Sequence, residues 1–184
     1  MRTRTVALTT ALLATAAFIV SPAANASAGA GTVETDITQA FGPQISAAGT
    51  ATSLITPGNA ATAAPAANTA WQSVNTTLTT LAADIKSSGS FSEADGEAIL
   101  SDVQAYVSTV LSALSAAAGK SGVLVQAGQA QPFAATFGTF QANWQSAANA
   151  LITAAPADLV PSMTSVDTQV TGAVIGVVDA YPAS

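Results

Sequence analysis

The amino-acid sequence predicts an all-α protein, an antiparallel bundle of about five amphipathic helices with short loops. Three observations support this fold class. Five segments repeat their apolar residues with the period of an α-helix, and Gly or Pro residues separate them. No segment of useful length alternates apolar and polar residues as a half-buried strand would. The chain also lacks cysteine, so burial of apolar side chains must hold the bundle together.

Residues 1–28 have the features of a secretory signal peptide. Arg2 and Arg4 precede an apolar run of about 15 residues, which is too short and wrongly flanked for a membrane span. Small-residue cleavage sites follow at residues 24–26 and 26–28. We therefore predict a secreted protein in which residues 29–184 form a single helical-bundle domain.

The first two predicted helices cover about residues 32–55 and 60–87. Gly42-Pro43 predicts a kink in the first helix, because proline distorts a helix interior. Residues 56–59 predict the turn between the two helices. Each helix has one apolar stripe, formed by Val33, Ile37, Phe41, Ala48 and Ile55 in the first and by Trp71, Val74, Leu78, Leu81 and Ile85 in the second.

Three further helices are predicted over about residues 92–119, 132–156 and 159–181. Ser92 is the predicted N-cap of the third helix. Residues 119–122 predict a linker, which a short apolar segment at 123–125 follows. The three stripes are Ile99, Val103, Tyr106, Val107, Val110 and Leu114; then Phe133, Phe137, Phe140, Trp144, Ala147 and Leu151; then Met163, Val166, Val170, Val174, Val177 and Tyr181.

The charged residues disfavour several classes of function. After residue 28 there is no Arg, His or Cys. This part of the chain contains two lysines, Lys86 and Lys120, and ten acidic residues, so its net charge is −8. Nucleic acid is disfavoured as a partner because phosphate contacts need clustered Lys and Arg. A His-assisted nucleophile is impossible without His. We therefore predict a non-enzymatic protein that needs no cofactor.

Two local clusters have simple structural explanations. Glu93, Asp95, Glu97 and Asp102 do not follow the spacing of a calcium loop, whereas acids at a helix start complement its dipole. No metal site is predicted there. The run at residues 119–122 lacks the first Gly of a phosphate loop, so we expect a helix linker. A Ser–Lys hydrolase is conceivable around either lysine, but nothing in the sequence positions such a pair.

The aromatic stripe of the fourth helix is the sharpest candidate for a ligand site. Four large rings, Phe133, Phe137, Phe140 and Trp144, share one face of an alanine-rich helix. They either fill the core, or line a groove for an apolar chain, or face a hydrophobic surface. Trp71 and Tyr106 are the expected companions of these rings from neighbouring helices. These six residues are the predicted apolar lining of a ligand site.

Asn75-Thr76-Thr77 is an N-glycosylation sequon. Asn75 flanks the apolar stripe of the second predicted helix rather than lying within it. We therefore expect glycosylation at Asn75 if the host is a eukaryote.

The whole pattern resembles a known family. The sequence combines a signal peptide, a cysteine-free Ala/Ser/Thr-rich helical domain and the run at residues 154–161 before a last helix ending in Tyr181. In these features it is similar to the fungal hydrophobic surface-binding protein A family, also called the cell wall galactomannoprotein family. The resemblance covers about residues 33–181. It implies a secreted or wall-associated helical protein that adsorbs to hydrophobic surfaces, and some relatives hold long-chain fatty acids inside the bundle. No catalytic residues come with it.

Two functional hypotheses follow. The first is a secreted, wall-associated protein that binds hydrophobic surfaces through an apolar helix face, with wall polysaccharide as a further partner. The second is a carrier of long-chain fatty acids with the ligand inside the bundle. Both need an apolar face and differ only in whether that face is internal.

Overall fold

The computed structural model describes residues 28–181, so the predicted signal peptide lies almost entirely outside the described residues. The described chain contains helices and no strand, which confirms the predicted fold class. In chain order, the elements are α1 (Ala28–Thr35), a π-helical segment (Asp36–Phe41), α2 (Gly42–Ser53), α3 (Ala60–Ser88), α4 (Glu93–Gly119), α5 (Ser121–Gln126), α6 (Ala130–Ala154) and α7 (Val160–Ala180).

The kink predicted at Gly42-Pro43 is a π-helical turn. The backbone N–H of Gly42 donates to the carbonyl of Ile37, five residues back. Pro43 has no N–H, and in a regular α-helix its ring would clash with the carbonyl four residues before it. The wider π turn relieves this crowding, so α1, the π-helical segment and α2 follow one another without a loop.

The predicted ends of the helices are confirmed at Ser92 and revised at residues 119–122. The Ser92 Oγ accepts a hydrogen bond from the Asp95 backbone N–H at 3.2 Å, as an N-cap residue does. The predicted linker is partly wrong, because α5 begins at Ser121. Leu124 of this short helix is buried, and its burial stabilises a helical turn where sequence punctuation alone suggested a loop.

The long helices form a closed ring around one core. α3 packs against α6, α6 against α7, α7 against α4, and α4 against α2, which returns to α3. Consecutive long helices run in opposite directions. α4 starts beside the end of α6, where the Phe91 N–H donates to the Ala154 carbonyl at 2.8 Å. At the other end of the bundle, the Tyr181 hydroxyl donates to the Ala117 carbonyl at 2.7 Å.

Nearly all of the predicted stripe residues are buried in this core. The exceptions are Val103, Tyr106 and Val107, which lie close together on one side of α4 and are only half-buried. Apolar side chains on the core side of a helix are normally covered by the neighbouring helices. The incomplete burial of these three residues therefore marks a place where the ring is not tightly closed.

α4 is also long and apolar enough, by length and composition, to cross a membrane, although 28% of its most apolar window is buried in the bundle. Its outer positions include Ala94, Ala98 and Ala105, which are exposed. Such alanines raise the mean hydropathy of a helix without forming a large apolar face. α4 packs along α2 and α7 as one wall of the ring.

Candidate functional site

An apolar cavity lies inside the ring, beside the half-buried residues of α4. Its enclosed volume is about 40 Å³. The wall is contributed by the π-helical segment, α3, α4, α6 and α7, and it is apolar apart from two residues. The apolar part includes Ile37, Phe41, Leu78, Leu81, Leu100, Val103, Val107, Val110, Trp144, Ala147, Ala148, Leu151, Met163, Val166 and Val170.

Small side chains leave this space open. A ring of helices encloses an interior that side chains must fill, and the cavity lies where α6 contributes Ala147 and Ala148. Elsewhere along the same helix, the larger side chains of Phe133, Phe137 and Phe140 are buried in the interior. The π-helical segment lies against the cavity as well, and such segments are frequent at functional sites.

The cavity is too small for a long ligand as it stands. Pockets that enclose drug-sized ligands have volumes of roughly 300–1,000 Å³. A space of about 40 Å³ holds little more than one water molecule. A long apolar chain can therefore enter only if helices around the cavity move apart.

Between α4 and α7, the cavity and a groove on the outer surface share lining residues. Val107 and Val166 line the cavity and also the floor of a groove on the outer surface, which Gln104, Ser162, Ser165 and Gln169 complete. The hydrogen bond from Tyr181 to α4 lies at the C-terminal ends of α4 and α7, away from the cavity. Beside the cavity, α4 and α7 meet through apolar side chains, so separation there breaks no side-chain hydrogen bond that we find between them.

Two polar residues reach the cavity, Tyr106 and Asp167. The Tyr106 hydroxyl donates to the Thr38 carbonyl at 3.3 Å. The Asp167 Oδ1 accepts from the Trp144 indole Nε1 at 2.9 Å and from the Thr171 hydroxyl at 3.0 Å. The otherwise apolar wall thus contains one carboxylate, which neutral donors hold in place.

The structure separates the six predicted lining residues into two groups. Trp144 and Tyr106 line the cavity. Trp71, Phe133, Phe137 and Phe140 instead form a buried aromatic cluster, in which Trp71 lies 4.8 Å from Phe137 and 5.6 Å from Phe140 between ring centroids. These four rings are buried in the core and do not line the cavity, and the expectation that all six residues share a ligand site stays a prediction.

Tyr181 completes the aromatic cluster from α7's end. Its ring stacks on Phe133 and Phe137 at centroid distances of 6.0 and 5.8 Å. Burial raises the pKa of the Tyr181 phenol above its usual range, so the hydroxyl stays protonated and donates to α4. The cluster closes one end of the interior.

Asp167 was missed as a site residue, although the sequence contains a signal for it. It follows Met163 by four residues and precedes Val170 by three, so it lies on the apolar side of the last helix. A lone acid on such a face must either reach water or find donors. The sequence could not show that Trp144 of another helix supplies one of them.

Asn75 does not lie where the glycosylation hypothesis placed it. Its side chain is buried rather than accessible beside the stripe, and its Nδ2 donates to the Thr136 carbonyl at 3.0 Å. A glycan on Nδ2 would replace this contact between α3 and α6. The expected accessible position is therefore wrong, and the modification itself stays a prediction.

The charged residues form no recognisable catalytic or metal site within residues 28–181. No group of three or more potential metal-binding side chains occurs there. Glu93 and Asp95 lie in the first turn of α4, as the dipole explanation predicts. The Lys86 Nζ donates to the Ser146 hydroxyl at 3.2 Å. Lys86 is exposed, whereas a lysine general base needs a desolvated amine or a cationic neighbour.

Solved structures share this fold. Afmp4p in complex with palmitic acid is 18% identical with a TM-score of 0.77, covering 83% of this chain and 99% of that one. Ligand-binding domain 1 of the Penicillium marneffei MP1 protein, complexed with arachidonic acids, is 14% identical with a TM-score of 0.76, covering 84% and 99%. Domain 2, complexed with multiple arachidonic acids, is 14% identical with a TM-score of 0.75, covering 83% and 96%.

No protein-family model matches the sequence, and no curated protein matches it either. The resemblance to the hydrophobic surface-binding family therefore stays a prediction. The three structural likenesses are all below 20% identity, yet each covers more than four-fifths of the chain. The chain has the helical fold of these ligand-binding domains.

Proposed function

We propose that this protein binds long-chain lipids, with the apolar chain held inside the bundle. The observation that carries the proposal is the apolar cavity beside Val103, Tyr106 and Val107, the predicted core residues that the ring leaves half-buried. The palmitic and arachidonic acid complexes of similarly folded domains support it. Fatty acids of this kind are the first ligands to test.

We infer that the ligand enters between α4 and α7. Val107 and Val166 alone are shared by the cavity and the outer groove, and displacement of these side chains joins the two spaces. Each buried methylene contributes about 0.8 kcal/mol, so a 16-carbon chain supplies on the order of 10 kcal/mol. Part of this energy offsets helix separation and the entropy lost on association. Binding should depend little on salt.

Adsorption to hydrophobic surfaces is the second candidate function, and fewer observations support it. The predicted aromatic stripe is buried, so it offers no face to a surface. Among residues 28–181, the exposed large hydrophobic residues are Leu54 at 66%, Val125 at 49% and Ile175 at 44%. Leu54 follows the end of α2, whereas Val125 lies on α5 and Ile175 on α7. Adsorption would therefore require the helices to separate first.

Secretion and a place in the cell wall remain part of the proposal. They depend on the signal-peptide features of residues 1–28 and on the family resemblance. Wall polysaccharide is the second partner class that this proposal includes. Nothing in the proposed lipid site requires a cofactor or a catalytic step.

The decisive experiment fills the cavity. Ala148 lines it and is 6% exposed, so Ala148→Leu should occupy most of its volume. The wild type should bind palmitic acid in native mass spectrometry and in a titration that follows tryptophan fluorescence, because Trp144 lines the cavity. Ala148→Leu should weaken this binding at least tenfold, while circular dichroism shows unchanged helicity.

Ala150→Leu is the matched control. Ala150 lies on the same helix and is 7% exposed, but it does not line the cavity. Its leucine variant should bind palmitic acid as the wild type does. Equal loss in both variants, or wild-type protein that adsorbs to hydrophobic plastic yet binds no lipid in solution, would overturn the proposed site.

A further inference from the structure

The cavity carries a fixed negative charge, and this charge has a consequence for the kind of lipid it accepts. Asp167 is the only charged residue among those that line the cavity. The Trp144 indole and the Thr171 hydroxyl both donate to its Oδ1. Both donors are neutral, so they orient the carboxylate without cancelling its charge.

The other oxygen of Asp167, Oδ2, is not one of the buried polar atoms that lack a partner, so it is open to water or to a ligand. We find no hydrogen-bond partner for Oδ2 among the described residues, and the side chain is half-buried. A carboxylate oxygen accepts hydrogen bonds and cannot donate them. A ligand head group with an O–H therefore fits this position, whereas a second carboxylate brings two like charges close together.

No cation in the described part of the chain compensates for this charge. The Lys120 Nζ donates to the Ile55 carbonyl at 2.6 Å, beyond the end of α4. The Lys86 Nζ donates to Ser146 on the outside of the bundle. Neither lysine lines the cavity. A fatty-acid carboxylate held at the cavity would meet Asp167 and no positive side chain.

We propose that Asp167 is a specificity-determining residue that favours long-chain lipids with an uncharged hydroxyl head over those with a carboxylate. This inference rests on the proposed function, because it assumes that the chain lies in the cavity. It names the ligand class as a long-chain alcohol or another lipid with a neutral hydroxyl head group.

The test compares three ligands that share a 16-carbon chain, namely hexadecanol, methyl palmitate and palmitate, delivered from cyclodextrin at pH 7. They present a hydroxyl donor, a neutral head without a donor, and a carboxylate. Wild-type protein should bind the alcohol most tightly and palmitate about tenfold more weakly. Asp167→Asn keeps an oxygen that accepts from Trp144 and Thr171 but removes the negative charge, so it should improve palmitate binding about tenfold.

Asp179→Asn is the control for net charge. Asp179 lies on α7 too, is exposed and does not line the cavity, so its replacement should leave all three affinities within twofold. If none of the three ligands binds, the proposed function fails. If all bind but palmitate is at least as tight as hexadecanol in the wild type, the inference about Asp167 fails while the proposed function stands. The wild-type ranking decides this even if a variant folds poorly.

Discussion

At the residue scale, the aromatic side chains have two different structural roles. Phe137 lies between Trp71, Phe133 and Tyr181 in the cluster that closes one end of the interior. Trp144 borders the cavity and donates to Asp167. Phe137 therefore stabilises the fold by packing, whereas Trp144 forms part of the candidate ligand site.

We predict that Phe137→Ala lowers the free energy of unfolding by about 3–5 kcal/mol, the usual cost of removing a fully buried ring. Chemical denaturation followed by circular dichroism measures this loss. Thr139→Ala, at an exposed position of the same helix, should change stability by less than about 0.5 kcal/mol. A loss below 1 kcal/mol for Phe137→Ala would mean that the aromatic cluster is not part of the core.

A second residue-scale prediction concerns Gly42, whose absent side chain makes room for Tyr106. A Cβ on Gly42 would overlap the Tyr106 ring. Gly42→Ala should therefore push this ring from its place at the cavity wall, lower stability by about 1–3 kcal/mol and weaken lipid binding. Thermal unfolding and a palmitic acid titration measure the two effects.

Gly138→Ala is the matched control because a Cβ there meets no atom within 4 Å. Removing a glycine from the interior of α6 should raise stability by about 0.5–1 kcal/mol. The two substitutions add the same methyl group, but they should change the free energy of unfolding in opposite directions. A change of stability in the same direction for both variants would contradict the close approach of α2 and α4.

At the element scale, α4 is held in the bundle less tightly than α3. Its most apolar window is 28% buried, and its contact with α7 beside the cavity is apolar. α3, in contrast, is tied to α2 and α6 by side-chain hydrogen bonds from Trp71, Asn75 and Thr77. Elements with few buried contacts open first in native proteins.

We predict that backbone amides in the middle of α4 exchange with deuterium faster than those in the middle of α3. Added palmitic acid should slow exchange in α4 and α7 more than in α3, since a bound chain fills the space that these helices enclose. Hydrogen-exchange mass spectrometry measures both. Uniform protection, or slowing confined to α3, would place the opening elsewhere.

At the scale of the whole molecule, acidic groups crowd one another with little compensation. Burial and a hydrogen bond to Asp84 raise the pKa of Asp36 above 3.8. Burial, followed by repulsion from Asp102 and Asp95, raises the pKa of Glu34 above 4.5. Both groups bind protons more tightly in the folded state than in the unfolded state. Their contribution to stability is full below the unfolded pKa values and is lost as pH rises through the folded ones.

We therefore predict that the domain becomes less stable as pH rises above the unfolded-state pKa values of these two carboxyl groups. Asp36→Asn should raise the melting temperature at pH 7 and flatten its decline with pH. Replacement of exposed Asp158 by Asn should leave that decline in place. Calorimetry at pH values up to 7 provides the measurement, and a melting temperature that rises steadily towards pH 7 would contradict the prediction.

The sequence by itself determined the helices and most of the core. Apolar stripes, the Ser92 N-cap and the proline positions are local signals, because a helix is built from residues three and four apart. Nearly every side chain in the predicted stripes is buried. The local signals also indicated, at Gly42-Pro43, where a regular helix would be distorted.

Only the tertiary structure decided which apolar residues pack and which line a cavity. A stripe looks the same in sequence whether the opposite helix presents phenylalanine or alanine, so Phe137 and Trp144 could not be separated beforehand. The pairings of Asp167 with Trp144 and of Asn75 with Thr136 depend on how neighbouring helices are rotated and shifted along their axes. That arrangement results from packing all helices at once, and no local segment of the sequence specifies it.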